Sequence, residues 1–258
     1  MDEALINAIY SFSLLAVRFG TLFIVVPIFS SKAIPMQLKS GMTLLCCIIL
    51  YPVIFNENLI AFPDNIVQII YHVGNEFLAG FILGFAVLLT FAIFQLAGQF
   101  IDIRMGFALA NIVDPLTGLN APLVGQFKNI LAMLILLSVN GHHQIIKALI
   151  KSYQVLPVTT PVMNQEILEY IFRMGGDIFL IAFRLAFPII ATLFIIDIIF
   201  GFLARTVPQM NVFMLGFPTK IGVGYMMLFL SIPILVKVIG EVLHMMEENL
   251  LDILKIIQ

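Results

Sequence analysis

Charge is scarce in this chain. Asp, Glu, Lys and Arg make up 11% of its 258 residues, against roughly 25% in soluble domains. The apolar share is 61%, too much for one soluble core to hide, so a bilayer or a large protein assembly must act as part of the solvent. Tryptophan is absent. A formal net charge of -2 leaves no basic excess for nucleic acid. Cysteine is limited to the neighbours Cys46 and Cys47, too few and too close together for a disulfide framework or a metal site, so both read as core residues. The N-terminus carries Asp2 and Glu3 where a signal peptide needs basic residues, and the first apolar run therefore reads as retained.

Catalytic signatures are missing as well. The sequence has no H-E-x-x-H, no G-x-S-x-G and no P-loop. His142 and His143 are adjacent and are expected to diverge on a helix, while His72 and His244 stand alone. Asp102 and Asp114 are too far apart in sequence for a local carboxylate cluster. The expectation is a protein that is not an enzyme and needs no cofactor or metal.

What is present is a series of long apolar runs. A helix crossing a bilayer needs about 20 mostly apolar residues. Six stretches approach that: Ala8 to Phe29, Met42 to Phe55, Phe77 to Ala97, Phe127 to Ile146, Ile178 to Ala204 and Ile221 to Gly240. Prolines at 27, 52, 188 and 233 interrupt them, and each removes a backbone donor and favours a kink. The expected fold class is an all-α membrane protein of about six apolar segments in kinked helical hairpins. Loop charges place Lys32, Lys39, Arg104, Arg205 and Lys220 on one side and Lys147, Lys151, Arg173 and Lys255 on the other, which puts the N-terminus outside by a margin of one residue. Gly80 and Gly84 lie one turn apart and permit close approach of a second helix. From Lys237 onward, Ile239, Val242, Met246, Leu250, Ile253 and Ile257 form an apolar stripe between acidic residues, the mark of an amphipathic helix. That stripe packs either on its own domain or on a partner.

Three charges sit inside apolar runs: Arg18, Arg184 and Asp197. Each costs at least roughly 2.5–3.5 kcal/mol at mid-bilayer on insertion scales, so each requires a partner, a polar cavity or a position outside lipid. Arg184 and Asp197 are separated by about 20 Å along a straight helix and cannot serve each other. A structural interhelical bond is the favoured reading over a transport path.

Two stretches are neither spans nor solvated loops. In GQFIDIRMGFALANIVDPLTGLNAPLVGQ, residues 98 to 126, helix is expected to about Ala110. Pro115 disfavours it at Asp114, Asn120 is a candidate cap, and helix resumes near Val124. Such apolar irregular backbone has to be satisfied by protein or by a wet cavity. In GFLARTVPQMNVFMLGFPTKIGVG, residues 201 to 224, a helical hairpin tip is expected, with Gly216, Phe217 and Pro218 preceding the sixth run.

With VNGHHQIIKALIKSYQVLP, residues 139 to 157, and ARTVPQMNVFMLGFP, residues 204 to 218, these stretches resemble the FliR family of export-gate proteins, which serves flagella and type III secretion injectisomes. The resemblance covers nearly the whole chain, and the N-G-H and Q-M-N-V-F wording is closer to the flagellar branch.

It implies a single domain over residues 1–258, with a FliP-like portion to 175 and a hairpin plus amphipathic C-terminal helix over 176–258. It implies a non-enzymatic subunit of a helical hetero-oligomer with FliP and FliQ in the bacterial inner membrane, at the flagellar basal body, with FlhB and FlhA nearby. Unfolded flagellar proteins pass through that gate. The loop from about Gly106 to Gln126 is then a pore plug, with Met105, Gly106, Asn111, Asp114, Pro115, Gly118, Asn120 and Pro122 as candidate gating residues. Arg18, Arg184, Asp197, Arg205, Gln209 and Lys220 are candidates for intersubunit or interhelical polar contacts. Family segments that look transmembrane are largely lifted into the assembly, which undercuts the loop-charge topology. The rival class, a secondary transporter, expects inverted repeats, and the sequence contains no clear repeat.

Overall fold

A computed structural model describes residues 3–31, 34–55, 59–107, 122–209 and 211–257. Every regular element among them is a helix: α1 (Glu3–Val25), α2 (Pro27–Ser30), α3 (Met36–Phe55), α4 (Ile66–Met105), α5 (Leu123–Ser138), α6 (Gly141–Val155), α7 (Gln165–Thr206) and α8 (Val212–Ile257). Five helices are long and apolar enough to cross a membrane, or six if α5 and α6 count as one broken span.

The helices are longer than the apolar runs suggest. α4, α7 and α8 contain 40, 42 and 46 residues, about 60–69 Å each at 1.5 Å per residue. The third run is the middle of α4. The sixth run and the amphipathic tail form one continuous helix, and Gly216, Phe217 and Pro218 lie inside it rather than before it. Pro52, Pro188, Pro218 and Pro233 are accommodated within helices. Pro27 does end one: it takes the first position of α2, where its missing N–H costs nothing.

The fourth run departs from its expected form. It breaks between α5 and α6, where Asn140 adopts a left-handed conformation with φ of 57°. Asparagine tolerates that region better than most residues. Helix α4 breaks at Gly106, whose φ is 91°; Phe107 is helical again, and the expected helix end near Ala110 lies outside the described residues.

Contacts divide the chain into two compact units. One comprises Met1–Leu89, Asn140–Met174 and His244–Gln258; the other comprises Thr90–Val139 and Gly175–Leu243. In the first, α1 lies directly on α4. A Cβ at Gly80 would strike the Arg18 carbonyl oxygen, and one at Gly84 would come within 2.9 Å of the Val25 Cβ. Leu14, Leu15, Phe19 and Leu22 of α1 are buried, as are Leu83 and Val87 of α4. Cys47 is buried and Cys46 is half-buried. In the second, α4 and α5 cross where the backbones of Gly98 and Gly125 touch, so that a side chain on Gly98 has no room. Ile239, Val242, Met246, Leu250 and Ile253 of the tail stripe are buried within the chain, so the stripe packs at home.

Candidate functional site

The chemistry available here is that of buried charge. Arg18 points from α1 into the first unit and is fully buried, as is Glu76 of α4. The guanidinium donates from Nε to Glu76 Oε2 at 2.7 Å and from Nη2 to Oε1 at 2.9 Å. This is the bidentate geometry in which arginine and carboxylate pair most strongly. Its Nη1 donates to Ser152 Oγ at 3.1 Å and to the Leu156 carbonyl at 3.2 Å. The Tyr153 ring lies 4.0 Å from the guanidinium carbon, within cation–π range. Glu76 Oε1 also accepts the Thr159 N–H at 3.1 Å. One buried ion pair thus ties α1, α4, α6 and the turn after α6 together. Sequence reasoning identified Arg18 as needing a partner but did not find Glu76, which is 58 positions away. A lone acid in the apolar stretch VGNEFLAG was the available signal.

In the second unit, Asp197 of α7 pairs with Lys220 of α8 on a partly exposed surface. They border a cavity of about 380 Å³, also lined by Ile103, Arg104, Phe200 and Phe217. Arg184, Arg205 and Gln209 are exposed. Of the candidates for polar contacts, the fold joins Asp197 to Lys220 and Arg18 to Glu76, and brings Arg184 to neither pair.

The base of the suspected plug is well defined. Asn111, Asp114, Pro115, Gly118 and Asn120 lie outside the described residues. Met105 is fully buried, its thioether packed where a Cβ on Gly224 would stand. Gly106 sits under the Phe217 ring. Across the loop, Pro122 occupies the N-cap position of α5 without a side-chain cap of its own. The capping acceptor comes from another helix. The Asp102 carboxylate of α4 accepts the Val124 N–H at 3.2 Å and the Gly125 N–H at 3.4 Å. A carboxylate at a helix start answers both the orphan donors and the positive end of the dipole. Lys128, one turn further along α5, is 1% exposed. Neither residue was singled out from sequence as a capping or pairing group.

His142 and His143 do not diverge as expected: their rings lie 4.1 Å apart at the start of α6. Among the described residues, no group of three His, Cys, Asp or Glu is placed to hold a metal.

Long apolar helices around a buried Arg18–Glu76 ion pair define an all-α membrane protein. Residues 9–246 match the model of the family described as bacterial export proteins, family 1. The chain is 31% identical to the flagellar biosynthetic protein FliR of Bacillus subtilis over 258 residues, which covers 99% of this chain and 98% of that protein. It is 33% identical to FliR of Pectobacterium carotovorum, covering 90% and 87%. It is 24% identical to the Yop proteins translocation protein T of Yersinia pestis, covering 84% of each. The chain belongs to the bacterial export proteins of family 1, the family that contains FliR.

Proposed function

We propose that this chain is a non-enzymatic core subunit of the flagellar type III secretion export gate. It joins FliP and FliQ in the inner membrane at the flagellar basal body, with FlhB and FlhA nearby, and forms part of the channel for unfolded flagellar subunits. The flagellar branch is favoured over the injectisome by 26–33% identity to FliR proteins against 24% to the Yersinia protein.

The observation that carries this reading is the apolar face of α7. Phe172 is 79% exposed and Phe202 is 66% exposed, with Phe179, Phe183, Phe187 and Phe194 also exposed between them. The two ends of that row are about 45 Å apart along the helix, whereas a bilayer core is about 30 Å thick. Lipid alone cannot cover the row, so part of it needs protein. A hetero-oligomer of similarly long apolar helices supplies that protein.

In this reading the segment from 106 to 126 closes the pore against ions. It moves aside for an unfolded chain, and the driving energy comes from elsewhere in the system. The test is a deletion of residues 110–120 in the complete complex, with native mass measurement and ion flux read together. The expected result is an assembled complex with FliP and FliQ that leaks. Tight membranes with an intact complex overturn the plug, and a chain that extracts alone overturns the assembly.

A further inference from the structure

We propose that the cavity between α6 and the end of α8 is a phospholipid site, built for a headgroup that carries both a phosphate and a primary ammonium, as phosphatidylethanolamine does. Its lining residues all belong to the first unit. The inference needs only the membrane character of the chain, not its place in the export gate.

The cavity holds about 240 Å³ and is lined by Lys147 and Lys151 of α6 and by Glu247 of α8. The two lysines are four residues apart, so they share one helix face with their Cβ atoms about 5–6 Å apart. Both are exposed, and α6 contains no acidic residue of its own. Among the described residues neither ammonium makes an ion pair or a hydrogen bond, although Glu247 lines the same space. Glu247 keeps one loose contact, with the exposed His244 at 3.8 Å. Two cations and a carboxylate therefore border one cavity without closing on each other.

A ligand that bridges them has to bring both signs. Phosphate oxygens accept charge-assisted hydrogen bonds from ammonium groups, and two lysines at this spacing can hold one phosphate between them. An ionised Glu247 only accepts, so the other end of the ligand must donate. A primary ammonium donates; the quaternary ammonium of phosphatidylcholine has no N–H, and phosphatidylglycerol carries no cation. The floor is apolar, with Ala148 and Leu250 buried and Leu251 42% exposed. Covering it favours a ligand with hydrocarbon beside its charges, which a free headgroup lacks and a lipid has. The level agrees as well. The sixth apolar run ends at Gly240, and Glu247 lies about 10 Å further along α8. Headgroups extend about 5–8 Å beyond the hydrocarbon core on each side of a bilayer, so Glu247 stands at their outer edge.

The test is lipid retention by the full-length chain in mild detergent, read by native mass spectrometry. Phosphatidylethanolamine, phosphatidylcholine and phosphatidylglycerol with the same acyl chains are compared, with soluble phosphoethanolamine as competitor. Glu247→Gln removes the carboxylate, and Lys147→Gln/Lys151→Gln removes the cations. Ala148→Leu narrows the cavity without changing its charge. Lys255→Gln, which removes a lysine of α8 outside the cavity, is the control. Each variant must keep the melting midpoint of the parent; if Ala148→Leu does not, Leu251→Trp at the exposed rim takes its place.

The parent is expected to retain phosphatidylethanolamine about tenfold better than either other lipid. Glu247→Gln is expected to keep lipid but lose the preference, the lysine double variant and Ala148→Leu to lose the bound phosphatidylethanolamine, and Lys255→Gln to match the parent. Equal retention of the three lipids by the parent overturns the zwitterionic headgroup, and a preference for phosphatidylglycerol reduces the cavity to an anion patch and overturns it too. A preference for phosphatidylethanolamine that survives Glu247→Gln or the lysine double variant places the lipid elsewhere and overturns the site. Displacement by soluble phosphoethanolamine at equal concentration overturns the lipid as occupant. No retained lipid, beside a loss of co-purified subunits in the lysine double variant, assigns the cavity to a neighbouring protein and overturns the proposal.

Discussion

Removing Arg18 alone should damage this protein more than removing Arg18 and Glu76 together. In Arg18→Met, the Glu76 carboxylate stays fully buried with, among the described residues, only the Thr159 N–H as a polar partner. Breaking one side of a buried ion pair costs about 3–5 kcal/mol. In Glu76→Leu the guanidinium keeps Ser152, Leu156 and the Tyr153 face but loses its counter-charge, and the Thr159 N–H loses its acceptor, adding about 1 kcal/mol. The double variant leaves no buried charge. What remains is the unpaired Thr159 N–H and two acceptors deprived of the arginine, a loss of about 1–3 kcal/mol.

For a chain of this size each kcal/mol shifts the thermal midpoint by about 2–4 °C. The single variants should therefore unfold about 6–24 °C early, and the double should recover more than half of the larger loss. The assay is thermal unfolding of the purified complex in one detergent, with all four members of the cycle compared. Losses that simply add in the double variant would show that the two groups do not depend on each other. Single variants within about 1 kcal/mol of the parent would show that the pair is not desolvated as the structure has it.

Glycine substitutions along α4 should split by position. Gly80→Ala drives a Cβ into the Arg18 carbonyl and should lower stability by about 1–3 kcal/mol. Gly74→Ala meets nothing within 4 Å and should raise stability by up to about 1 kcal/mol through helix propensity; the same melting assay checks both. The Asp197–Lys220 pair has side chains 34% and 25% exposed, so Lys220→Met should change stability by less than about 1 kcal/mol, measured against Asp197→Asn and the double variant.

The helices were legible in the sequence because their apolar runs are long. Pro27 ends α1 for a backbone reason visible in one residue, whereas the break at Gly106 fell inside a stretch read as continuous helix. The break at Asn140 was missed although N-G is a turn dipeptide, because the apolar pattern continues unbroken on both sides of it. Arg18 shows the same limit in energetic form. Its cost in an apolar helix is a property of one position and could be read directly, whereas Glu76 is defined only by how α1 and α4 pack. Asp102 was harder still: a cap donated by another helix leaves no N-cap signature beside the helix it caps. Gly80 and Gly84 were readable by contrast, since small residues at that spacing act through their own absence of a side chain.

The distribution of those charges bears on what the molecule can offer a partner. Arg18 and Glu76 neutralise each other inside one unit, and Asp197 and Lys220 do so in the other. Asp102 and Lys128 are buried at the loop base. The exposed face of α7 between Phe172 and Phe202 is by contrast aromatic and aliphatic over most of its length, with Arg184 the exposed charge near its middle. A face of that kind recognises through shape and van der Waals contact, since apolar groups gain little by leaving lipid for another apolar surface. Specificity then has to come from the few polar positions, Arg173 and Asp177 near one end and Arg184 near the middle, all exposed. An Arg184→Leu variant should accordingly keep the fold and melting temperature of the isolated chain while losing yield of the assembled complex, measured as co-purified subunits per chain. Unchanged yield would mean that the neighbouring subunits read the phenylalanine row alone.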